Sequence, residues 1–203
     1  MFTNIFSYYL YMKLLNINLS LLSKHIIKTK EKDKKGRIIS NEGGWQSKNF
    51  NKPNSYNKPL FDILKTQVEE IKNKINYQYT LNLQDYWYNI NYQDSFNIPH
   101  FHIGLDMKTI VSGVFYIETP KDCGQIVFKR QDQVLGLMYS KKKVKKYNEY
   151  NSSVWQVNPQ ENLCILFPAN LEHFVKPNLN KERRISISFN YGIWTLKKIN
   201  IVY

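Results

Sequence analysis

The chain has 203 residues, which is long enough for one sizeable hydrophobic core and short for two. Hydrophobic residues make up 42% of the sequence and aromatic residues 15%, which excludes a wholly disordered chain. The formal net charge of +13 raises nucleic acid or another acidic surface as a partner, although charge by itself supports such a partner only weakly.

Neither a membrane segment nor a disulfide framework is predicted. The apolar N-terminal stretch is interrupted by polar residues such as Lys13, Asn16 and Lys24, so no continuous run of ~18 apolar residues forms a membrane span. It also lacks the basic start and small-residue cleavage site of a signal peptide. The two cysteines, Cys123 and Cys164, are interpreted as reduced thiols. We therefore expect a cytoplasmic protein without a membrane partner.

Two helices are predicted ahead of the strands. Leu15, Leu19, Leu22 and Ile26 recur at helical spacing, so residues about 12 to 28 are expected to form an amphipathic helix. A charge run from 28 to 37 then indicates a frayed helix end and a solvated turn, and an irregular segment follows. The second helix is predicted over about 59 to 75, from the spacing of Leu64, Val68, Ile71 and Ile75.

From Tyr79 onward the pattern is typical of short strands separated by clusters of Gly, Pro, Asn and Asp. The predicted strands are YTLNL, YWYNINY, the segment around His100, TIVSGVFYIET, GQIVFKR, QVLGLMYS, SVWQV, NLCILF, HFVKP, RISISFN and the terminal KKINIVY. No helical pattern alternates with them. An all-β sandwich or barrel core is therefore expected.

Three of the four histidines lie in strand-like contexts. Alternate side chains of a strand face the same way, so His100 and His102 are expected on one side, with Phe101 on the other. His173 lies between the runs CILF and HFV, where a neighbouring strand could bring a third imidazole to the same point. Imidazole binds zinc, copper and iron, and three protein ligands leave positions open for a substrate. The pattern predicts a catalytic metal site.

The segment RRISISFN indicates an anion site near this metal. In an extended strand Arg184, Ser186 and Ser188 share one face, and apolar residues occupy the other. A guanidinium group beside a hydroxyl suits bidentate binding of a carboxylate. An organic acid is therefore the implied second ligand.

The order of these motifs resembles the iron(II)/2-oxoglutarate-dependent oxygenase superfamily, and in particular an uncharacterised phage and bacterial group within it. The shared features are GGWQS, a W-x-N strand, H-x-H, the SGVFYI strand, LFP followed by His173, and R-x-S, which together span roughly 43 to 190. The resemblance implies a mainly β fold with a double-stranded β-helix (jelly-roll) core and two N-terminal supporting helices. The chain length favours a single domain over 1–203, with helical support and an irregular segment in 1–78 and the jelly-roll oxygenase core in 79–203.

Carried over residue by residue, the resemblance implies Fe(II) and 2-oxoglutarate as cofactors. His100 and His173 correspond to iron ligands. Arg184 corresponds to the partner of the distal 2-oxoglutarate carboxylate, with Ser186 as its R-x-S companion. Tyr116 matches a position where relatives of the prolyl hydroxylase type place a tyrosine on the same carboxylate.

One position departs from the superfamily pattern. That pattern is H-x-D/E, whereas His102 stands where the carboxylate is expected. Either the site has three histidines, or Asp106 supplies the oxygen ligand and His102 faces the substrate. We expect three histidines, because Asp106 is four residues further on and would require the strand to end and turn back. The loss of one negative charge should alter iron affinity and oxygen activation.

Further residues are candidates for a substrate pocket. By the resemblance, Trp87 and Asn89 on the W-x-N strand line the pocket near the metal, while core packing remains the alternative for Trp87. Asn190 either lines the pocket or ends its strand. The basic run KKKVKK at 141–146 could bind phosphate groups, but a solvated hairpin loop is the more usual role of such a run.

The leading prediction is an Fe(II)- and 2-oxoglutarate-dependent dioxygenase that hydroxylates a primary substrate. One alternative is a three-histidine dioxygenase of the cupin type that uses no 2-oxoglutarate. Another is a basic, non-enzymatic nucleic-acid-binding β-protein in which the histidines only pack. Substitution of Arg184 distinguishes the first two, and salt-sensitive nucleic-acid binding without the histidines would favour the third.

Overall fold

A computed structural model describes residues 8–104, 107–132, 138–139 and 143–194. It contains helices α1 (Leu19–Lys32) and α2 (Lys58–Lys74). The strands are β1 (Tyr11–Leu14), β2 (Asn41–Glu42), β3 (Trp45–Gln46), β4 (Asn82–Asn91), β5 (Phe96–His100), β6 (Thr109–Glu118), β7 (Ile126–Lys129), β8 (Val154–Val157), β9 (Leu163–Pro168), β10 (His173–Val175) and β11 (Arg184–Gly192).

The strands form two antiparallel sheets. Sheet I has the order β1-β9-β6-β11-β4-β3, and sheet II has the order β2-β5-β10-β7-β8. Neighbours within a sheet are often distant in sequence, since β11 lies between β4 and β6 and β10 lies between β5 and β7. This is the expected mainly β fold, with a jelly-roll core and two supporting helices.

Side chains alternate between the two faces of each strand, so sheet I borders two hydrophobic cores. On β11, Ile185, Ile187 and Phe189 belong to the larger core, which also contains the buried stripe of each helix. The opposite face of sheet I turns toward sheet II. There a smaller core includes Tyr116 and Phe167. The polar side chains of β11 therefore lie between the sheets, where the smaller core leaves room for a site.

The first helix begins later than predicted. Residues about 12 to 18 were expected to be helical, but Tyr11–Leu14 form β1, which pairs with β9 at the edge of sheet I. Helix α1 begins after Asn18, whose side chain accepts a hydrogen bond from the Leu21 N–H. It continues to Lys32, beyond the predicted end. The prediction of the second helix is confirmed to within one residue at each end.

The strand predictions are confirmed for most of the core, with two differences. YTLNL and YWYNINY contribute to one continuous strand, β4. The segment expected to be irregular contains two short strands, β2 and β3, which extend sheets II and I. The predicted strand at 133–140 falls largely outside the described residues, and the one at 197–203 falls wholly outside them.

Candidate functional site

Strand register brings His100 and His173 together. His173 opens β10 and is the direct cross-strand partner of His100, the last residue of β5. Their ring centroids are 4.4 Å apart. Two residues 73 positions apart in sequence thus become neighbours because antiparallel pairing of β5 and β10 places them opposite each other.

His102 joins them from just beyond the end of β5. Its backbone N–H donates to the carbonyl of Ala169, 2.8 Å away, which ties this segment to the residue after β9. The His102 ring centroid lies 5.2 Å from that of His100 and 5.0 Å from that of His173. Phe101 turns the other way and is 55% exposed. The three side chains, here called the histidine cluster, therefore converge although only two of them belong to strands.

Each ring of the histidine cluster is held by its Nδ1 atom. The acceptors are the carbonyl of Ile98 for His100 (2.7 Å), the carbonyl of Leu171 for His173 (2.9 Å) and Oδ1 of Asn190 for His102 (2.8 Å). Because these oxygens only accept, Nδ1 carries the proton and Nε2 keeps a lone pair. One ligand atom from each ring lies within 4.8 Å of the others. This donor set suits a transition-metal ion such as iron.

Burial keeps these imidazoles in the neutral form that binds metals. It lowers the pKa of His102 to about 4, against the opposing effect of the Asn190 hydrogen bond. Burial is also the main cause of the lowered pKa of His100 and of His173, and the two other rings lower the pKa of His173 further. Phe167 packs 4.7 Å from the His173 ring, measured between centroids, and shields it from water.

Arg184 is a buried cation in the same interior space. It is the first residue of β11 and is 2% exposed. Its Nη1 atom donates to the carbonyls of Cys123 (2.6 Å) and Gly124 (2.9 Å), and its Nε–H has no hydrogen-bond partner among the described residues. Within the described part of the chain it forms no ion pair with a carboxylate. A buried charge is costly unless it is paired, so the arrangement fits an anion supplied from outside.

Tyr116 and Ser186 lie beside this cation. They are cross-strand partners on β6 and β11. Burial raises the pKa of Tyr116 to about 12, although the charge of Arg184 opposes the shift. The phenol therefore stays protonated at neutral pH and can donate a hydrogen bond to an anion.

One cavity between the sheets joins the histidine cluster to the cation. Its lining on sheet I includes Trp87, Asn89, Tyr116, Arg184 and Ser186. The histidine cluster lines its other side. Trp87 lies 5.5 Å from His102, between ring centroids, and Asn89 donates to Oγ of Ser188 at 3.0 Å. The cavity thus has three imidazoles on one side and hydrogen-bond donors, including Arg184 and Tyr116, on the other. This arrangement fits an organic acid bound to a metal ion.

Some site residues were not found from the sequence. Asn190 was a candidate for the pocket wall, but it lies behind His102 and bonds to that ring. Asp85 and Ser112, which bond to Asn190, were not singled out. Asp85 shares a face of β4 with Trp87 and Asn89, so strand alternation was an available signal. Asp106 lies outside the described residues.

Other expectations concern the chain as a whole. No helix among the described residues is long and apolar enough to cross a membrane. Cys123 and Cys164 are both free and buried. Part of the basic run at 141–146 lies outside the described residues.

Comparison with known proteins agrees with this geometry. A family model described as "Putative 2OG-Fe(II) oxygenase" matches residues 85–190, which is more than half of the chain. This chain belongs to that family. It is therefore an oxidoreductase that depends on Fe(II) and 2-oxoglutarate, and the two alternative predictions are disfavoured. No curated protein sequence matches the chain.

Solved structures share the fold at low identity. A prolyl-4-hydroxylase from Pseudomonas putida superposes with a TM-score of 0.67 and 13% identity, over 92% of this chain and 93% of its own. A prolyl hydroxylase from Trichoplax adhaerens, in complex with a hypoxia inducible factor peptide, gives 0.60 and 13%, over 90% and 83%. A viral collagen prolyl hydroxylase from Paramecium Bursaria Chlorella virus-1, in complex with 2-oxoglutarate, gives 0.57 and 13%, over 91% and 97%.

Proposed function

We propose that the histidine cluster binds the catalytic Fe(II) ion of this oxygenase, so that His102 replaces the carboxylate ligand of the superfamily pattern. The observation that carries the proposal is the convergence of three neutral imidazoles whose Nδ1 atoms are all occupied by oxygen acceptors. A site with this donor set leaves coordination positions open for a bidentate acid and for oxygen.

We propose further that Arg184 binds the distal carboxylate of 2-oxoglutarate. Its support is the buried guanidinium group with an unpartnered Nε–H in the cavity that the histidine cluster also lines. Tyr116 would donate to the same carboxylate, and Ser186 lies beside it on β11. The dianion would offset the charges of Fe(II) and of Arg184, which three neutral histidines leave uncompensated.

With these groups bound, iron, 2-oxoglutarate and oxygen supply the oxidising power to hydroxylate a C–H bond of the primary substrate. The protein positions the bound groups and excludes water from the cavity. The carbonyls of Cys123 and Gly124 fix the guanidinium group, and Phe167 covers one side of the histidine cluster. Trp87 and Asn89 line the remaining space near His102, and we propose that they contact the primary substrate.

Metal titration tests the ligand assignment. We expect purified protein to bind one Fe(II) ion, and substitution of any member of the histidine cluster by Ala to lower the affinity by at least ~100-fold. His25→Gln is the matched control, since His25 lies on α1 and stacks on Tyr56 away from the cluster. Full iron affinity in the cluster variants would contradict the assignment.

Titration with 2-oxoglutarate tests the second assignment. Arg184→Lys keeps the charge but not the two-pronged donor, so we expect 2-oxoglutarate to bind at least ~10-fold more weakly while iron binding persists. Arg183→Lys is the control, because Arg183 is paired with Glu118 at 2.9 Å on the other side of the strand. Unchanged 2-oxoglutarate affinity in Arg184→Lys would contradict the assignment of Arg184 as the partner of the distal carboxylate.

The cytoplasm is the compartment we propose. Its support is the two free, buried cysteines, which suit a reducing environment. Measurement of the thiol content of protein isolated under non-reducing conditions, with alkylation at lysis, tests this assignment.

A further inference from the structure

Three polar side chains lie in a row across sheet I behind the histidine cluster. Asp85 on β4 is the cross-strand partner of Asn190 on β11, and Asn190 is in turn the partner of Ser112 on β6. Because directly opposed residues on neighbouring strands project to the same face, their side chains touch. Nδ2 of Asn190 donates to Oδ1 of Asp85 at 2.8 Å, and Oγ of Ser112 donates to Oδ1 of Asn190 at 2.8 Å.

The third contact of Asn190 is His102. Its Oδ1 lies 2.8 Å from Nδ1 of that ring. His102 thus differs from its two companions, which bond to main-chain carbonyls. A peptide carbonyl presents only an acceptor to the ring. A side-chain amide can rotate and present its NH₂ group instead, so this contact needs a further group to fix its direction.

Asp85 fixes the orientation of the Asn190 amide. An ionised carboxylate only accepts hydrogen bonds, so it requires the NH₂ group of Asn190 and leaves the oxygen for His102. The Ser112 hydroxyl does not fix the orientation of the Asn190 amide, because it can donate or accept a hydrogen bond. The outer oxygen of Asp85 accepts from Nδ2 of Asn49 at 2.5 Å, and Oδ1 of Asn49 accepts from Arg37 at 2.7 Å. Both oxygens of Asp85 therefore receive hydrogen bonds.

We infer that Asp85 is a positioning residue for the metal site: it orients the Asn190 amide, and that amide holds His102 in the tautomer whose Nε2 lone pair faces the metal. The inference rests on the proposed function. It also supplies a reason why a histidine is accepted where the superfamily pattern has an acid. The negative charge that the superfamily pattern places on the metal ligand itself lies here on Asp85, which is linked to His102 through two hydrogen bonds.

The tautomer of His102 is the direct readout, and it needs no metal. In metal-free protein, the ¹⁵N chemical shifts of the imidazole report which nitrogen carries the proton. We expect the Nδ1–H form in the native protein and a mixture of tautomers in Asp85→Ala. For the same variant we expect Ni(II), used as the probe ion, to bind roughly 10- to 100-fold more weakly in calorimetry.

An exchanged pair separates orientation from loss of folding. In Asp85→Asn combined with Asn190→Asp, the new carboxylate at 190 can only accept, so we expect the Nδ1–H tautomer and most of the Ni(II) affinity to return. Asp62→Ala is the matched control, since Asp62 is an exposed carboxylate on α2 that pairs with Lys58. It should change neither the tautomer nor Ni(II) binding.

The outcomes distinguish this inference from the assignment beneath it. If His102→Ala binds Ni(II) as tightly as the native protein, the proposed ligand set fails. If His102→Ala loses Ni(II) but Asp85→Ala keeps both the tautomer and the affinity, the positioning role of Asp85 is overturned. A failure of the exchanged pair to restore the tautomer, in protein that still unfolds cooperatively, would also overturn it.

Discussion

For the individual residues of the histidine cluster, the main effect of burial is a lower pKa and hence a weaker tendency to take up a proton. Exposed histidines take up protons near pH 6.5, whereas burial lowers the pKa of His102 to about 4 and also lowers that of His100 and His173. The folded protein therefore resists a protonation that the unfolded chain accepts. This difference links the stability of the fold to pH.

In metal-free protein we expect the free energy of unfolding to fall as the pH is lowered from 7 to 5. The folded pKa lies below the unfolded one, so the stabilisation is complete above the unfolded pKa and is lost as the pH falls toward the folded pKa. His102 alone should contribute a loss of about 2 kcal/mol by pH 5. Urea denaturation at several pH values measures it.

The His102→Gln variant is the comparison for this measurement, because glutamine does not titrate. Its unfolding free energy should decline less steeply over the same range. An equally steep decline in the variant would show that His102 is not the source of the effect.

Among the structural elements, the segment whose carbonyls accept hydrogen bonds from Arg184 depends on one glycine, Gly124. Gly124 has φ +88°, and a Cβ atom there would lie 2.1 Å from the carbonyl oxygen of Lys176. Its own carbonyl accepts a hydrogen bond from Arg184. A side chain at 124 must therefore displace the backbone that positions the guanidinium group.

We expect Gly124→Ala to weaken 2-oxoglutarate binding by ~10-fold or more, with iron affinity nearly unchanged because the histidine cluster is untouched. Gly43→Ala is the matched control. Gly43 also has positive φ (+70°), but its Cβ would meet nothing closer than 3.5 Å. Calorimetry with iron-loaded protein measures both variants, and equal loss of 2-oxoglutarate affinity in the two would contradict the role of the Gly124 carbonyl.

Local patterns predicted the elements whose side chains alternate or recur along one segment. The polar and apolar faces of β11 follow from spacing alone and are confirmed. The stripe of α2 is confirmed for Leu64, Val68 and Ile71, whereas Ile75 lies just past the end of the helix and is exposed. Residues 12–14 were wrongly predicted to be helical, because their pairing with β9, a tertiary contact, outweighs their helical spacing. The contact between Asp85 and Asn190 depends on register between distant strands, which no local pattern contains.

At the scale of the whole molecule, the helices and the β-strands share one core. Leu22 on α1 and Leu64 on α2 belong to the same buried cluster as Phe115 and Ile187 of sheet I. Sheet I therefore supports the helices on one face and the candidate site on the other. Loss of the helices would expose the apolar face of the sheet whose opposite face carries Arg184.

This shared core leads us to propose that the described residues unfold as a single cooperative unit. Leu64 is fully buried, so Leu64→Ala should remove roughly 2–5 kcal/mol of stability. The loss should appear as the same shift in a helix signal, followed by far-ultraviolet circular dichroism, and in tryptophan fluorescence, to which Trp45 and Trp87 of sheet I contribute. Leu21→Ala, at a side chain that is 53% exposed on α1, should change little. Two separate transitions, with only the helix signal moved by Leu64→Ala, would show that the helical support and the β-core are independent domains.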